Sequence, residues 1–484
     1  LEQKDNRVLI VVQPDKAGLQ EPDTTALLTA FDRIVSQPVA AYVDKTTEGE
    51  LLERIPTPGK VVAEKKHPEV GVTEWKLSNG AVVFLKPTDF KASEILFAGS
   101  SPGGTSLFDD ASYPSAAFTS IAGAGGWGRF SQANLDRQLS GKIVNVSSGI
   151  GSTTEGISGY TNWTDIESML QLVNLVMLEP RYDSAAIKSV LQRTKVQLVN
   201  RSASPEAVFQ DTVSATLTQY SKRAPLMTSN LLNQIDPRKA FELYKERFAD
   251  ASDFAFIFVG AFNPDSLKPL VEKYLASLPA LNRKDTPRDL PEMHPPKGII
   301  KKTVVAGREE RTVTVLNFNG SAKESTRQEL TDLSIMTQVL NNRLMKRLRE
   351  ELGSTYGVSV GVSRAPKPIS TYSISIQFVS EPARREEMIK EVFAAIDSLK
   401  RVPPTKDEIH RVVETYIRDR EKSRRTNGYW LALLDLHSQS RPFNELLDDS
   451  VLTSATPTRI QKAAQKYIDI KQYQEFNLVP RPAE

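Results

Sequence analysis

The chain has no cysteine in its 484 residues, which excludes thiol nucleophiles, disulfides and thiolate metal sites. Histidine is nearly absent as well: the four are His67, His294, His410 and His437, and no two lie within four residues of each other. A helical histidine pair of the kind that grips a catalytic zinc is therefore missing. His410, His437 and Glu414 could meet only across neighbouring helices, and isolated histidines among charged residues read as surface side chains, so no metal site is expected in this chain. No run approaches the roughly 18 apolar residues of a membrane span. With 62 basic and 59 acidic side chains, for a net charge of +3, there is no broad field for nucleic acid or anionic lipid. Partners should be recognised by shape, with neither nucleic acid nor membrane among them.

What is present is a repeated grammar. Two domains of roughly 200 residues suit this length. Arg7 to Val12 reads as a buried strand with no preceding partner, so residues 1–60 are expected to be the end of a preceding half plus a linker marked by Ile55-Pro56-Thr57-Pro58-Gly59. The start at Leu1 lacks the basic and apolar regions of a signal peptide. Pro22 to Ser36 has a helical pattern. A first domain over 61–292 should contain a turn at Leu77-Ser78-Asn79-Gly80, a strand at Ala81 to Leu85, a strand at Gly156 to Tyr160, helices over about Trp163–Leu178 and Ser184–Asn200, and a strand at Phe254 to Gly260. After a proline-containing linker from Asn282 to Lys297, a second domain over 293–484 repeats the series. It has strands from Thr312 and at Tyr372 to Phe378, then helices over about Ala383–Leu399 and Thr405–Arg425 on either side of Pro403-Pro404. A shift of about 222 residues brings the Pro180 and Pro403 regions together. The fold class is therefore α+β: two homologous domains, each a mainly antiparallel sheet with helices packed on one face.

Few segments offer chemistry. Gly123-Ala124-Gly125-Gly126-Trp127-Gly128 fits G-x-G-x-x-G, but a helix over Pro114 to Ala122 is expected before it instead of a strand, and no carboxylate follows at the required distance. Hydrolase elbows and phosphate loops are absent. The informative stretch runs from Leu344 to Val360. Its helix should stop at Gly353 and a strand should start at Tyr356, so Arg349 and Tyr356 flank one short junction. Two donors there can serve a carbonyl or a developing oxyanion; equally, Arg349 can cap helix carbonyls while Tyr356 fills core.

Leu77-Ser78-Asn79-Gly80 with its strand, the Arg349 to Tyr356 segment and Asn427-Gly428-Tyr429-Trp430 together resemble the zinc peptidases of the pitrilysin/insulinase family. The likeness extends over nearly the whole chain and is greatest to the C-terminal, zinc-free half of the long bacterial periplasmic members. The resemblance implies third and fourth pitrilysin-like domains, joined to or partnered by an N-terminal half whose inverted H-x-x-E-H motif holds zinc. It implies a clamshell chamber for unfolded peptides, a periplasmic location, Arg349 and Tyr356 as donors to the substrate carbonyl, and Asn427, Tyr429 and Trp430 as substrate-facing residues. Zinc belongs to the complete enzyme and no cofactor to this chain. Where the motif would stand, the first domain reads Ala117-Phe118-Thr119-Ser120-Ile121, so the chain alone should be inactive. The alternative is an inactive structural or peptide-binding subunit of the same fold.

Overall fold

The computed structural model of the chain describes residues 8, 10–13, 18–20, 22–36, 49–224, 226, 228–323, 325–351 and 357–482, with the backbone alone at 35 and 349–351. Residues up to Thr47 form a separate unit. It contains helix α1 (Thr24–Val35), started by Asp23, whose carboxylate accepts from the Ala26 N–H at 2.7 Å. The strand expected over Arg7 to Val12 does not form among the described residues Val8 and Ile10 to Val12, which are exposed. A strand persists only beside another, and no described strand pairs with these residues.

The second unit holds two sheets. The first domain supplies β1 (Val61–His67), β2 (Val72–Leu77), β3 (Val82–Pro87), β4 (Ile95–Pro102), β5 (Val144–Ile150), β6 (Thr154–Thr161) and β7 (Ala255–Gly260), in the order β1-β2-β3-β7-β4-β6-β5. The second domain supplies β8 (Ile299–Val305), β9 (Thr312–Ser321), β10 (Val358–Ala365), β11 (Thr371–Ser380) and β12 (Tyr473–Val479), in the order β10-β11-β9-β12-β8. Without the β1–β2 hairpin, the first sheet reads β3-β7-β4-β6-β5 and matches β8-β12-β9-β11-β10 strand for strand. Each contains one parallel pair, β3 with β7 and β8 with β12, among otherwise antiparallel neighbours. The two domains are copies of one fold.

Their helices correspond too. The first domain has α2 (Ile166–Leu178), α3 (Ser184–Ser202), α4 (Pro205–Leu217) and α5 (Pro237–Phe248) before β7, and α6 (Pro264–Tyr274) after it. The second has α7 (Arg327–Leu344), then α8 (Arg385–Arg401), α9 (Lys406–Ser423), α10 (Asn427–Ser438) and α11 (Pro457–Tyr467) before β12. One face of the first sheet packs on α2, α5 and α6 around Phe97, Phe256, Phe258, Leu170 and Phe248; the second sheet packs on α7, α8 and α11 around Leu316, Phe318, Leu340 and Ile396.

The opposite faces are covered reciprocally. Leu433 and Leu434 of α10, with Phe443, lie on Phe84 of β3 and Ile257 and Val259 of β7. Phe209 and Val213 of α4 lie on Val315 of β9 and Phe476 and Leu478 of β12. The third helix of each four-helix series is thus given to the other domain's sheet. This explains why β7 is apolar at every interior position: both of its faces are buried.

The polar stretch between the domains is docked. Asp250, 1% exposed, accepts from the Ser252 and Leu281 N–H groups at 2.9 and 2.8 Å and from the Arg283 N–H at 2.8 Å. Desolvation pushes its carboxyl up, but these bonds outweigh it and hold the group down at about 2. Arg288 donates to the Ser106 carbonyl at 2.7 Å. Buried Arg247 bridges Glu155 and Asp285, at 2.7 Å from the latter; burial pushes the Glu155 carboxyl up against the pull of that guanidinium.

Candidate functional site

The helix-to-strand junction of the second domain is built from α7. Thr326 and Glu329 form a reciprocal capping box at its start. At its end the backbone continues as a π-helix over Met345–Glu351, and β10 begins at Val358. The expected stop at Gly353 lies outside the described residues, and π turns of this kind recur at functional sites. Arg349 lies in this turn, with its side chain outside the described residues; Tyr356 lies outside them altogether.

Both flanks of the junction are fixed. Leu344 and Leu348 are fully buried. Arg343 grips Glu408 of α9 through two bonds of 2.7 and 3.0 Å, and Arg347 grips Glu391 of α8 at 2.9 and 3.2 Å. The bond from Arg343 first, then the Thr405 cap, hold the Glu408 carboxyl down at about 2. The Asn341 side chain accepts from the Val360 N–H at 2.9 Å, tying α7 to the first turn of β10. β10 is the terminal strand of its sheet. Because Val360 directs its N–H to Asn341 and not to β11, alternate backbone groups of β10 face away from β11, on an edge that no described strand pairs with.

At the far end of β10 lies a cleft of about 790 Å³ between the strand ends and α9 and α10. Lys323, Arg327, Arg364, Arg420 and Arg441 line it against a single carboxylate among the described residues, Glu445. Tyr429 is in its wall. The other two residues of that motif are engaged at the seam between the domains. Asn427, 2% exposed, accepts from Thr88 at 2.6 Å and donates to Glu94 at 2.9 Å. Desolvation raises the Glu94 carboxyl, but bonds from Lys91 and Asn427 outweigh it and leave the group lowered. Trp430 donates to the Arg424 carbonyl at 2.9 Å, and the Lys86 ammonium sits 4.3 Å from its ring centre.

Ala117 to Ile121 is not the continuous helix expected over Pro114–Ala122. A short helix over Tyr113–Ala116 is followed by a 3-10 segment over Thr119–Gly125. Phe118 and Ile121 are buried with Ile187, Leu231 and Leu232, while Ala117 and Ser120 are exposed, and the segment offers no histidine or carboxylate to a metal. The glycines beyond it are structural: a Cβ on Gly125 would lie 2.0 Å from the Arg181 carbonyl oxygen, and Gly126 has φ +88°. His410 is exposed and apart from His437. His437 instead meets His67, their ring centres 5.7 Å apart, a pairing that no sequence spacing signals.

Comparison with known proteins agrees with this architecture. Residues 236–416 match the family described as the peptidase M16 inactive domain. A zinc protease PQQL-like protein of Arabidopsis thaliana is 27% identical, over 95% of this chain and 49% of its own length. The periplasmic protease PqqL from Escherichia coli superimposes with a TM-score of 0.77 at 18% identity, over 95% of this chain and 51% of that one. The first half of that protease, solved separately, superimposes with a TM-score of 0.70 at 12% identity, over 88% of this chain and 93% of its own. The chain spans about half the length of the full-length relatives it matches, and its fold is that of one such half. Among the described residues no helix is long and apolar enough to cross a membrane.

Proposed function

Because residues 236–416 match the peptidase M16 inactive domain, we propose that the chain is the C-terminal, zinc-free half of a zinc-dependent endopeptidase of that family. Residues 61–292 and 293–484 are its third and fourth domains, and residues 1–60 lead in from the preceding half. The zinc, held by H-x-x-E-H, belongs to that N-terminal half. There it would activate water and polarise the scissile carbonyl. This chain closes the other wall of a chamber around unfolded peptides, in the periplasm as for the Escherichia coli relative.

In this reading Arg349 and Tyr356 donate to the carbonyl oxygen as it gains charge. The clamped end of α7 and the tie from Asn341 to β10 serve to hold them. The outer edge of β10, which no described strand pairs with, offers backbone groups to an extended peptide. The observation that carries the proposal is the pairing of an M16 inactive-domain match with an Ala117–Ile121 segment that holds neither a histidine nor a carboxylate.

The test is a peptidase assay on an unfolded peptide with this chain, the zinc-bearing half, and the two joined. Cleavage only by the joined halves is the expected result. Zinc-dependent cleavage by this chain alone would refute it. Peptide binding without cleavage by the joined halves would establish the scaffold reading instead.

A further inference from the structure

His67 ends β1, Glu74 lies in β2, and His437 occupies the last turn of α10. The three come from both domains, and each offers one ligand atom, all within 4.8 Å of one another. We propose that they form a second metal site, for a divalent transition ion of the zinc class, that bridges the two domains and is separate from the peptidase zinc.

Each ligand is prepared. His437 Nδ1 donates to the Arg441 carbonyl at 2.7 Å, in the tautomer that leaves Nε2 free to ligate. The ring is held by Phe443, stacked at 3.7 Å, and by Phe84 at 5.5 Å. His67, 7% exposed, points Nε2 at Glu74 Oε2 across 3.0 Å. A metal replaces the proton shared there, and Phe443 also packs on this ring at 5.1 Å. Ligands of a tetrahedral zinc are separated by roughly 3.3 Å, so the His67–Glu74 spacing already fits. No pair of the three ligand atoms is more than 4.8 Å apart, so side-chain torsion changes of at most about 1.5 Å among the three bring them to that spacing.

Charge and access agree. The last turn of α10 is the negative end of its dipole, which favours a cation beside His437. The site opens into a cleft of about 480 Å³ bordered by Lys65, Glu69, Pro442 and Asn444, leaving a coordination position for water. Two imidazoles and one carboxylate select zinc, cobalt or nickel over calcium or magnesium, which take oxygen ligands. The consequence is a clamp from the β1–β2 hairpin of one domain to the helix that the other domain lends it. The sequence suggested no metal in this chain because the two histidines are 370 positions apart.

The experiment titrates the chelator-treated 484-residue chain with Co²⁺, following visible ligand-field absorption, and then with Zn²⁺. One Co²⁺ per chain, displaced by Zn²⁺, is expected, together with a rise in Tm on adding Zn²⁺. His67→Gln and His437→Gln should each weaken binding at least about tenfold, as should Glu74→Gln. His410→Gln should bind as wild type does. Melting in chelator is the folding control, and should a histidine variant fail it, the Glu74→Gln titration decides. No saturable binding, or equal binding by the folded variants, overturns the proposal.

Discussion

Tyr356 differs from phenylalanine by one hydroxyl, and that hydroxyl is what its proposed role uses. In the joined enzyme, Tyr356→Phe should lower kcat by about 100- to 1,000-fold, the usual effect of losing an oxyanion donor from a dry site. Fold and Tm should stay unchanged. Arg349→Ala should also raise KM, since a charged donor holds the ground-state carbonyl as well. Steady-state kinetics with thermal melting separates these outcomes, and lost Tm in both variants would make the pair structural. At this scale local spacing in the sequence is enough to nominate Arg349 and Tyr356, whose side chains lie outside the described residues. The sequence was silent where partners are remote. Asn427 could be singled out, but its partners Thr88 and Glu94 lie 339 and 333 positions away, and nothing near Asn427 records that its amide is spent on the domain seam.

At the scale of the element, Asp250 is the peg on which the inter-domain stretch hangs. Asp250→Asn replaces one acceptor oxygen with a donor that faces a backbone N–H, and should cost about 2 kcal/mol by chemical denaturation. The wild-type carboxyl is held at about 2 in the folded chain against its ordinary 3.8. Its contribution is therefore complete above about pH 4 and is lost as pH falls through about 2. An acid titration of Tm should show a shallower fall for Asp250→Asn than for wild type across that interval. β9 and β11 were legible because they alternate or bury apolar residues. β8 was not: its Ile299-Ile300-Lys301-Lys302-Thr303-Val304-Val305 is mostly exposed, and it is a strand because β12 offers a parallel edge. The helix expected over Pro114–Ala122 gives way to a 3-10 segment that runs into glycines packed against backbone, where a continuing helix of larger residues has no room.

At the scale of the molecule, the duplication was legible from prolines, strands and helices recurring at a nearly constant offset. The exchange of α4 and α10 was not, since a helix's apolar stripe says that it is covered but not by which sheet. Leu434 is fully buried in the borrowed cluster. Leu434→Ala should cost about 2 to 5 kcal/mol, and because that cluster belongs to both domains, calorimetry should show the single wild-type transition moving down as one.

The same exchange sets an order of events during synthesis. β3 leaves the ribosome long before α10 exists, and Thr88 precedes its partner Asn427 by 339 residues. At about 5 to 20 residues per second, the wait is roughly 20 to 70 seconds. Throughout it, Val70, Val72 and Phe84, joined later by Ile257 and Val259, present a bare apolar face to the translating cell. The nascent first domain is thus a natural client for holding chaperones, released only when α10 has emerged.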